Sequence, residues 1–151
     1  GLAIIKIMKT VKGEKYHSKS LKKIMFKGYD KKGQVQNSWI CNNKDIVEKY
    51  NKDELCQYEY TLNGYENIVR LMIDIYNEKI YQKKNLKLPI YFIAGREDPV
   101  IISEKDWYKA QDFLKNIGYE NISSKLYDNM KHEILNEENN KIVYEDILKF
   151  L

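Results

Sequence analysis

A short and almost entirely apolar run between a proline and a glycine constrains the fold of this chain more than any other feature. Residues 88–95 read LPIYFIAG, a pattern typical of a strand that is buried on both faces. A helix should follow, because Ser103 and Asp106 form a helix-starting capping box and Gly118 is placed to end it. Residues 123–128 have the pattern of a second strand. A strand–helix–strand unit of this length favours parallel, right-handed pairing and predicts an α/β fold.

Two strands alone make an unusual parallel sheet. Parallel sheets normally extend sideways over several strands and carry helices on both faces. The chain has 151 residues, 43% of them hydrophobic, which is enough to bury a core. We therefore expect the sequence to be the end of a larger α/β domain.

Helices should make up most of the remaining chain. Short apolar bursts separated by glycines predict short helices in residues 1–60, the third of them over residues 44–50. Apolar residues at helical spacing predict an amphipathic helix over residues 65–82 and a closing helix after His132. The apolar positions behind these predictions are Ile4, Ile5, Met8, Leu21, Ile24, Met25, Ile68, Leu71, Met72, Ile75, Tyr76, Ile80, Ile142, Val143, Ile147, Leu148 and Leu151.

The first 35 residues are strongly basic, with ten lysines and only Glu14 and Asp30 as acidic residues, although the whole chain carries a net charge of +4. Such a stretch could contact an anionic membrane surface or substrate, or it could be the solvated face of one or two helices. It contains no arginine, the side chain whose fork best fits phosphate groups, so we expect no nucleic-acid partner. The solvated face and a peripheral membrane contact both stay open.

The two cysteines, Cys41 and Cys56, lie fifteen positions apart and lack the CxxC spacing of a zinc ribbon. The sequence also lacks a cluster of metal-ligating residues and a dinucleotide-binding glycine motif, so we expect neither a metal nor another cofactor. Two free thiols are typical of a reducing cytoplasm, which is the location that we expect.

Polar side chains follow both predicted strands. In open α/β sheets, functional residues collect on the loops beyond the carboxyl ends of the strands. The first such loop and the helix after it offer Glu97, Asp98 and Asp106, and the second loop offers His132. A carboxylate that accepts the imidazole N–H fixes the tautomer and prepares the ring to act as general base for a hydroxyl nucleophile. Position alone does not choose among the three carboxylates, and a turn or a helix cap is the alternative role.

Two segments resemble a known family of enzymes. Residues 88–100 (LPIYFIAGREDPV) and 125–137 (KLYDNMKHEILNE) closely resemble the last two strand–loop segments of α/β-hydrolases. The nearest group is the monoacylglycerol lipase and lysophospholipase-like serine hydrolases, also described as serine aminopeptidase-like. The resemblance implies that Asp98 is the acid and His132 the base of a catalytic triad. The implied fold class is α/β, as the carboxyl-terminal portion of an α/β-hydrolase fold.

The resemblance extends to a helical cap. Residues 37–40 (NSWI) and 45–56 (DIVEKYNKDELC) look like the cap that the family inserts before these strands. The implied organisation is a cap or lid segment over residues 1–62 and the last part of the hydrolase core over residues 63–151. Trp39, in the cap, is a candidate for binding substrate. The implied substrate is a monoacylglycerol, a lysophospholipid or a similar single-chain ester.

The sequence departs from the family at the nucleophile. The family's serine lies on a G-x-S-x-G elbow. None of the six serines, at positions 18, 20, 38, 103, 123 and 124, has a glycine two residues before it. We therefore expect this chain to carry the acid and the base of a larger serine hydrolase without its nucleophile, and to be inactive alone. The alternative is a non-catalytic interaction module whose basic face binds an acidic partner.

The resemblance also implies an unpaired strand edge. In the family's sheet, the strand that matches residues 90–94 pairs on one side with the strand that matches residues 124–128. Its other side pairs with a strand upstream of this sequence. Because a free edge of an apolar strand is a template for pairing with another chain, we expect self-association through this edge.

Overall fold

The computed structural model describes residues 1–151, which form six α-helices and a two-stranded sheet. The chain folds as two compact units, one made of residues 1–27 and 57–82 and the other of residues 28–56 and 83–151. None of the helices has the length and apolar character that crossing a membrane requires. The helices are α1 (Leu2–Lys12), α2 (Lys19–Met25), α3 (Lys44–Lys52), α4 (Leu62–Asp74), α5 (Glu104–Ile117) and α6 (Lys141–Phe150), and the strands are β1 (Ile90–Gly95) and β2 (Ile122–Tyr127).

The first unit is built from α1, α2 and α4. Its core contains Ile5 of α1, Leu21 of α2, and Leu62 and Tyr65 of α4. α2 begins after Ser18, whose side chain accepts the N–H of Leu21 and so satisfies one of the unpaired donors at the start of the helix. The short helices that the apolar bursts predict in this part of the chain are therefore confirmed.

The amphipathic helix predicted over residues 65–82 is shorter than expected and starts earlier. α4 begins after Thr61, because the Thr61 hydroxyl accepts the N–H of Gly64 at 3.1 Å and caps the helix. The helix ends at Asp74, and the Asn77 side chain then caps a separate 3₁₀ turn. The helical spacing of apolar residues therefore continues past the point where the backbone leaves the α-helix.

The sheet of the second unit is parallel, as predicted. β1 and β2 pair in register, beginning with Ile90 opposite Ile122. α5 connects the two strands, and it begins where the Ser103 hydroxyl accepts a backbone N–H of the first turn. It ends at Gly118, whose φ of 119° lies in the left-handed region that favours glycine. The strand–helix–strand unit expected from the sequence is thus confirmed.

β1 is less buried than its sequence predicts. Ala94 and Gly95 are buried, whereas the first four residues of the strand are only half-buried. A strand is covered on both faces when helices pack on both sides of a broad sheet. Here the sheet has two strands, so helices cover β1 only in part. The expectation of a strand buried along its whole length is wrong for this chain.

Two small cores hold the second unit together. One packs α6 against the end of β2 and the loop that follows it. The other packs α3 against the segment that directly precedes it. Their members are Tyr127, Met130, Ile134 and Val143 in the first, and Ile40, Cys41 and Val47 in the second.

Both cysteines are free thiols. Cys41 is buried, and this burial raises the pKa of its thiol to about 11, whereas Cys56 is half-buried.

Candidate active site

Asp98 lies in the turn directly after β1. Its Oδ1 accepts the backbone N–H of Val100 at 2.8 Å and caps a 3₁₀ turn over Pro99–Ile101. Proline suits the first position of such a turn, because its missing N–H would have no partner there. The Asp98 side chain is only 7% exposed, and its second oxygen, Oδ2, remains for another partner.

His132 lies on the loop after β2 and provides that partner. Its Nδ1 is 2.9 Å from Oδ2 of Asp98. Because an ionised carboxylate can only accept hydrogen bonds, Nδ1 carries the proton and donates it. Nε2 is then the ring nitrogen that can take a proton from another group. The structure therefore brings together a carboxylate and an imidazole from the ends of two neighbouring parallel strands.

The other two acidic candidates have different surroundings. Asp106 lies in the first turn of α5 and pairs with Lys109 at 2.8 Å. Glu97 is exposed, and its backbone N–H donates to the carbonyl of Met130 at 2.9 Å. The geometry of the turn after β1 thus selects Asp98 as the partner of the imidazole, which the spacing of the residues alone does not.

The environment of His132 favours its charged form. The hydrogen bond with Asp98 raises the pKa of His132 above its ordinary value, and the charges of Asp98 and Glu133 act in the same direction. Partial burial opposes this shift, because it disfavours the imidazolium. The side chain is still 41% exposed, so the ring can be reached from solvent. The pair can accept a proton and stabilise the resulting positive charge, as a general base must.

Trp39 lies beside the imidazole, and Tyr29 packs against Trp39. The ring centroid of Trp39 is 5.0 Å from that of His132. Tyr29 contacts Trp39 edge-on, also at a centroid distance of 5.0 Å. Burial, and to a lesser extent the charge of Asp98, raises the pKa of the Tyr29 hydroxyl. Substrate binding by Trp39 stays a prediction. Tyr29 is a site neighbour that sequence reasoning missed, because it lies in the lysine-rich stretch without an apolar pattern around it.

Gly95 allows β1 to approach the His132 loop closely. A Cβ atom at this position would lie 2.2 Å from the carbonyl oxygens of both Met130 and Lys131. Real Cβ atoms do not come so close to backbone atoms, so any larger residue would displace the loop. Sequence reasoning used this glycine only to mark the end of the strand, although an isolated glycine at a strand end can also signal a close backbone approach.

Comparison with known proteins shows what the chain is similar to. A profile of the serine aminopeptidase S33 family matches residues 3–139. A highly thermostable carboxyl esterase from Bacillus coagulans, solved in complex with glycerol, superposes on 99% of the chain with a TM-score of 0.82 and 23% identity. A lipase in an open form also superposes on 99% of the chain, with a TM-score of 0.72 and 19% identity. No curated protein sequence matches the chain significantly.

The chain spans about half the length of these two structures, 50% of the esterase and 48% of the lipase. At such identities the likeness shows the fold alone. That fold is part of an α/β-hydrolase, in agreement with the fold class expected from the sequence.

Proposed function

The chain belongs to the serine aminopeptidase S33 family, and we propose that it is the carboxyl-terminal part of a carboxylic ester hydrolase. It carries the acid and the base of the catalytic triad, and the serine lies in chain outside residues 1–151. The observation that supports this proposal is the hydrogen bond between Asp98 and His132, at the ends of two parallel strands. The catalytic roles of the two residues are part of the proposal.

The proposed reaction proceeds through an acyl-enzyme. Nε2 of His132 accepts the proton of the serine hydroxyl while the serine oxygen forms a bond to the carbonyl carbon of the ester. The proton then passes to the alcohol oxygen as the bond between that oxygen and the carbonyl carbon breaks. Nε2 then takes a proton from water as the water oxygen bonds to the acyl carbon. It returns this proton to the serine oxygen as the bond between the acyl carbon and the serine oxygen breaks, which releases the acid. Asp98 holds the ring in the required tautomer throughout.

The proposed substrate is a single-chain ester, such as a monoacylglycerol or a lysophospholipid. The support comes from Trp39, whose ring places apolar surface beside the imidazole, and from Tyr29, which extends that surface through its edge-on contact with Trp39. The proposed lid comprises residues 1–62, in which both aromatic residues lie. The two solved structures similar to this chain, a carboxyl esterase and a lipase, have names that agree with an ester substrate.

The hydrolysis of short p-nitrophenyl esters tests the proposal. In the longest natural form of the protein, His132→Ala should lower kcat/KM by at least about 10³-fold, because a triad without its base loses most of its rate. His17→Ala is the matched control, since His17 is exposed and is the only other histidine within residues 1–151, and it should leave kcat/KM unchanged.

The 151-residue chain should hydrolyse these esters no faster than its own His132→Ala variant. A non-catalytic interaction module is the alternative, and it would show no His132-dependent hydrolysis in any form of the protein. That result would overturn the proposal, as would a long form that keeps full activity without His132.

A further inference from the structure

We propose that Glu137 is a positioning residue of this site, which holds the loop of His132 against the segment that carries Trp39. This inference rests on the proposed function, because it gives Glu137 a part in presenting the general base. Glu137 directly follows the 3₁₀ turn over Ile134–Asn136. It is only 4% exposed, although it carries an ionisable side chain.

The Glu137 carboxylate accepts three hydrogen bonds from two segments that are far apart in the sequence. Its Oε1 accepts the backbone N–H of Lys131 at 2.8 Å and the side-chain amide of Asn42 at 3.3 Å. Its Oε2 accepts the backbone N–H of Asn42 at 3.0 Å. One buried carboxylate therefore ties the residue immediately before His132 to a residue 95 positions away from Glu137.

Further hydrogen bonds join the same two segments on both sides of the imidazole. The ammonium group of Lys131 donates to the carbonyl of Ser38 at 2.6 Å. The backbone N–H of Glu133 donates to the carbonyl of Ile40 at 2.8 Å. The tryptophan whose ring contacts the imidazole lies between Ser38 and Ile40. The bonds made by Glu137 thus belong to a set that fixes both the imidazole and its aromatic neighbour.

A carboxylate suits this position because all three of its partners are donors. Ionised oxygens form short, strong hydrogen bonds with N–H groups, and three such bonds offset the cost of burying the side chain. A glutamine of the same shape would replace one oxygen by an NH₂ group, which faces an N–H and cannot accept from it. Glu137→Gln therefore loosens the link between the two segments with little change in side-chain volume.

The test measures directly whether the His132 ring keeps its position beside Asp98. Proton NMR of the 151-residue chain follows the ring signals of His132 against pH and the low-field Nδ1–H signal of its bond to Asp98. In Glu137→Gln, the His132 pKa should fall toward the ordinary value of about 6.5, and the Nδ1–H signal should lose most of its intensity. The hydrogen bond to Asp98 is the largest cause of the raised pKa, so a fall in the pKa together with loss of the Nδ1–H signal reports displacement of the ring.

Glu138→Gln is the matched control, because Glu138 is the neighbouring glutamate and is exposed. It should leave both His132 signals unchanged, and the His17 signal should be the same in every variant. Unchanged His132 signals in a folded Glu137→Gln chain would overturn the inference. If circular dichroism shows that Glu137→Gln is unfolded, Asn42→Ala takes its place. That variant should weaken the same Nδ1–H signal, and an unchanged signal would equally overturn the inference.

Activity of the longest natural form separates this inference from the proposed function. Glu137→Gln should lower kcat for p-nitrophenyl esters at least about tenfold with little change in KM, since a displaced base slows the chemical step rather than binding. An unchanged kcat in an active protein would overturn the inference and leave the proposed function standing. A long form without esterase activity would overturn the proposed function, and the NMR comparison would still report whether Glu137 positions His132.

Discussion

The imidazole of His132 donates its Nδ1–H to a carboxylate that is almost completely buried, and this contact governs the charge of the ring. The pKa of His132 is raised in the folded chain. The stabilisation from the protonated pair is therefore complete below the ordinary histidine pKa of about 6.5 and is lost as the pH rises through the raised value. Because the ring is 41% exposed, we expect this contribution to stay below about 1 kcal/mol.

Asp98→Asn tests whether the Asp98 carboxylate stabilises the positive charge of His132. The free energy of unfolding, measured in urea, should fall more at about pH 5.5 than at about pH 9, because the variant cannot stabilise the imidazolium. Asp128→Asn is the control. Asp128 directly follows β2, as Asp98 lies in the turn after β1, but it pairs with Arg96. Because arginine stays charged over this range, the effect of Asp128→Asn should be equal at both pH values. An equal effect of Asp98→Asn at both pH values would contradict the assignment.

Gly95→Ala should be strongly destabilising for a residue that gains a single methyl group. The new Cβ would lie 2.2 Å from two backbone carbonyl oxygens, so the strand end and the His132 loop must separate. We expect a loss of about 1–3 kcal/mol in urea denaturation, together with weakening of the His132 Nδ1–H signal.

Gly64→Ala is the matched control for this substitution. It lies in α4, and its nearest contact would be a side-chain atom of Tyr60 at 3.3 Å. We expect a change within about 1 kcal/mol, because alanine favours the helix and the tyrosine ring can shift. If Gly95→Ala were no more destabilising than Gly64→Ala, the close approach of strand and loop would be wrong.

At the residue scale, strand order predicts His132 and three candidate carboxylates, and the family resemblance selects Asp98 among them. Neither predicts the residues that support the pair. Parallel strands place the residues after them at one edge of the sheet, so a loop residue can be predicted from strand order. Glu137 and Asn42 meet across 95 positions of sequence through two hydrogen bonds. Hydrophobic periodicity carries no information about such a contact, because it depends on how irregular segments pack.

Among the elements, those with strong local signals are the ones that the sequence predicts best. α5 has a capping serine at one end and a left-handed glycine at the other, and both act on the backbone within a few residues. The end of α4 was predicted less well, since Asn77 starts a new turn while the apolar spacing continues. The burial of β1 depends on how many strands the sheet contains, and no local pattern encodes that number.

α6 is held to the site by Val143, which is completely buried against the loop after β2. Val143→Ala should destabilise the chain by about 1–2 kcal/mol, because it removes buried methyl groups and leaves a cavity. Leu148→Ala, on the same helix, removes a larger but 71% exposed side chain and should cost no more than about 0.5 kcal/mol. Urea denaturation of the two variants makes the comparison, and equal losses would contradict the packing of α6 described here.

At the scale of the whole molecule, the main feature is a parallel sheet of only two strands in a chain that spans about half the length of similar structures. β1 pairs with β2 alone. We propose that its other edge pairs with a second copy of the chain, because unpaired backbone groups on an apolar strand favour such contacts.

Sedimentation measures this self-association. We expect the average mass to rise with concentration. The amides of Tyr91 and Ile93, which alternate along β1 with amides that face β2, should become protected from hydrogen exchange as it does. A monomer at high concentration in which these amides already exchange slowly would show that the chain covers its own edge, and it would rule out the proposed pairing.

The central claim is that Asp98 and His132 activate a serine that lies outside residues 1–151, and the rate of labelling by a fluorophosphonate probe tests it most directly. The probe reacts with a serine whose hydroxyl is activated by a base. In the longest natural form of the protein we expect rapid labelling of one serine, much slower labelling in Asp98→Asn and His132→Ala, and an unchanged rate in His17→Ala. Labelling at the same rate without His132, or no labelling of a form that contains a G-x-S-x-G elbow, would contradict the claim.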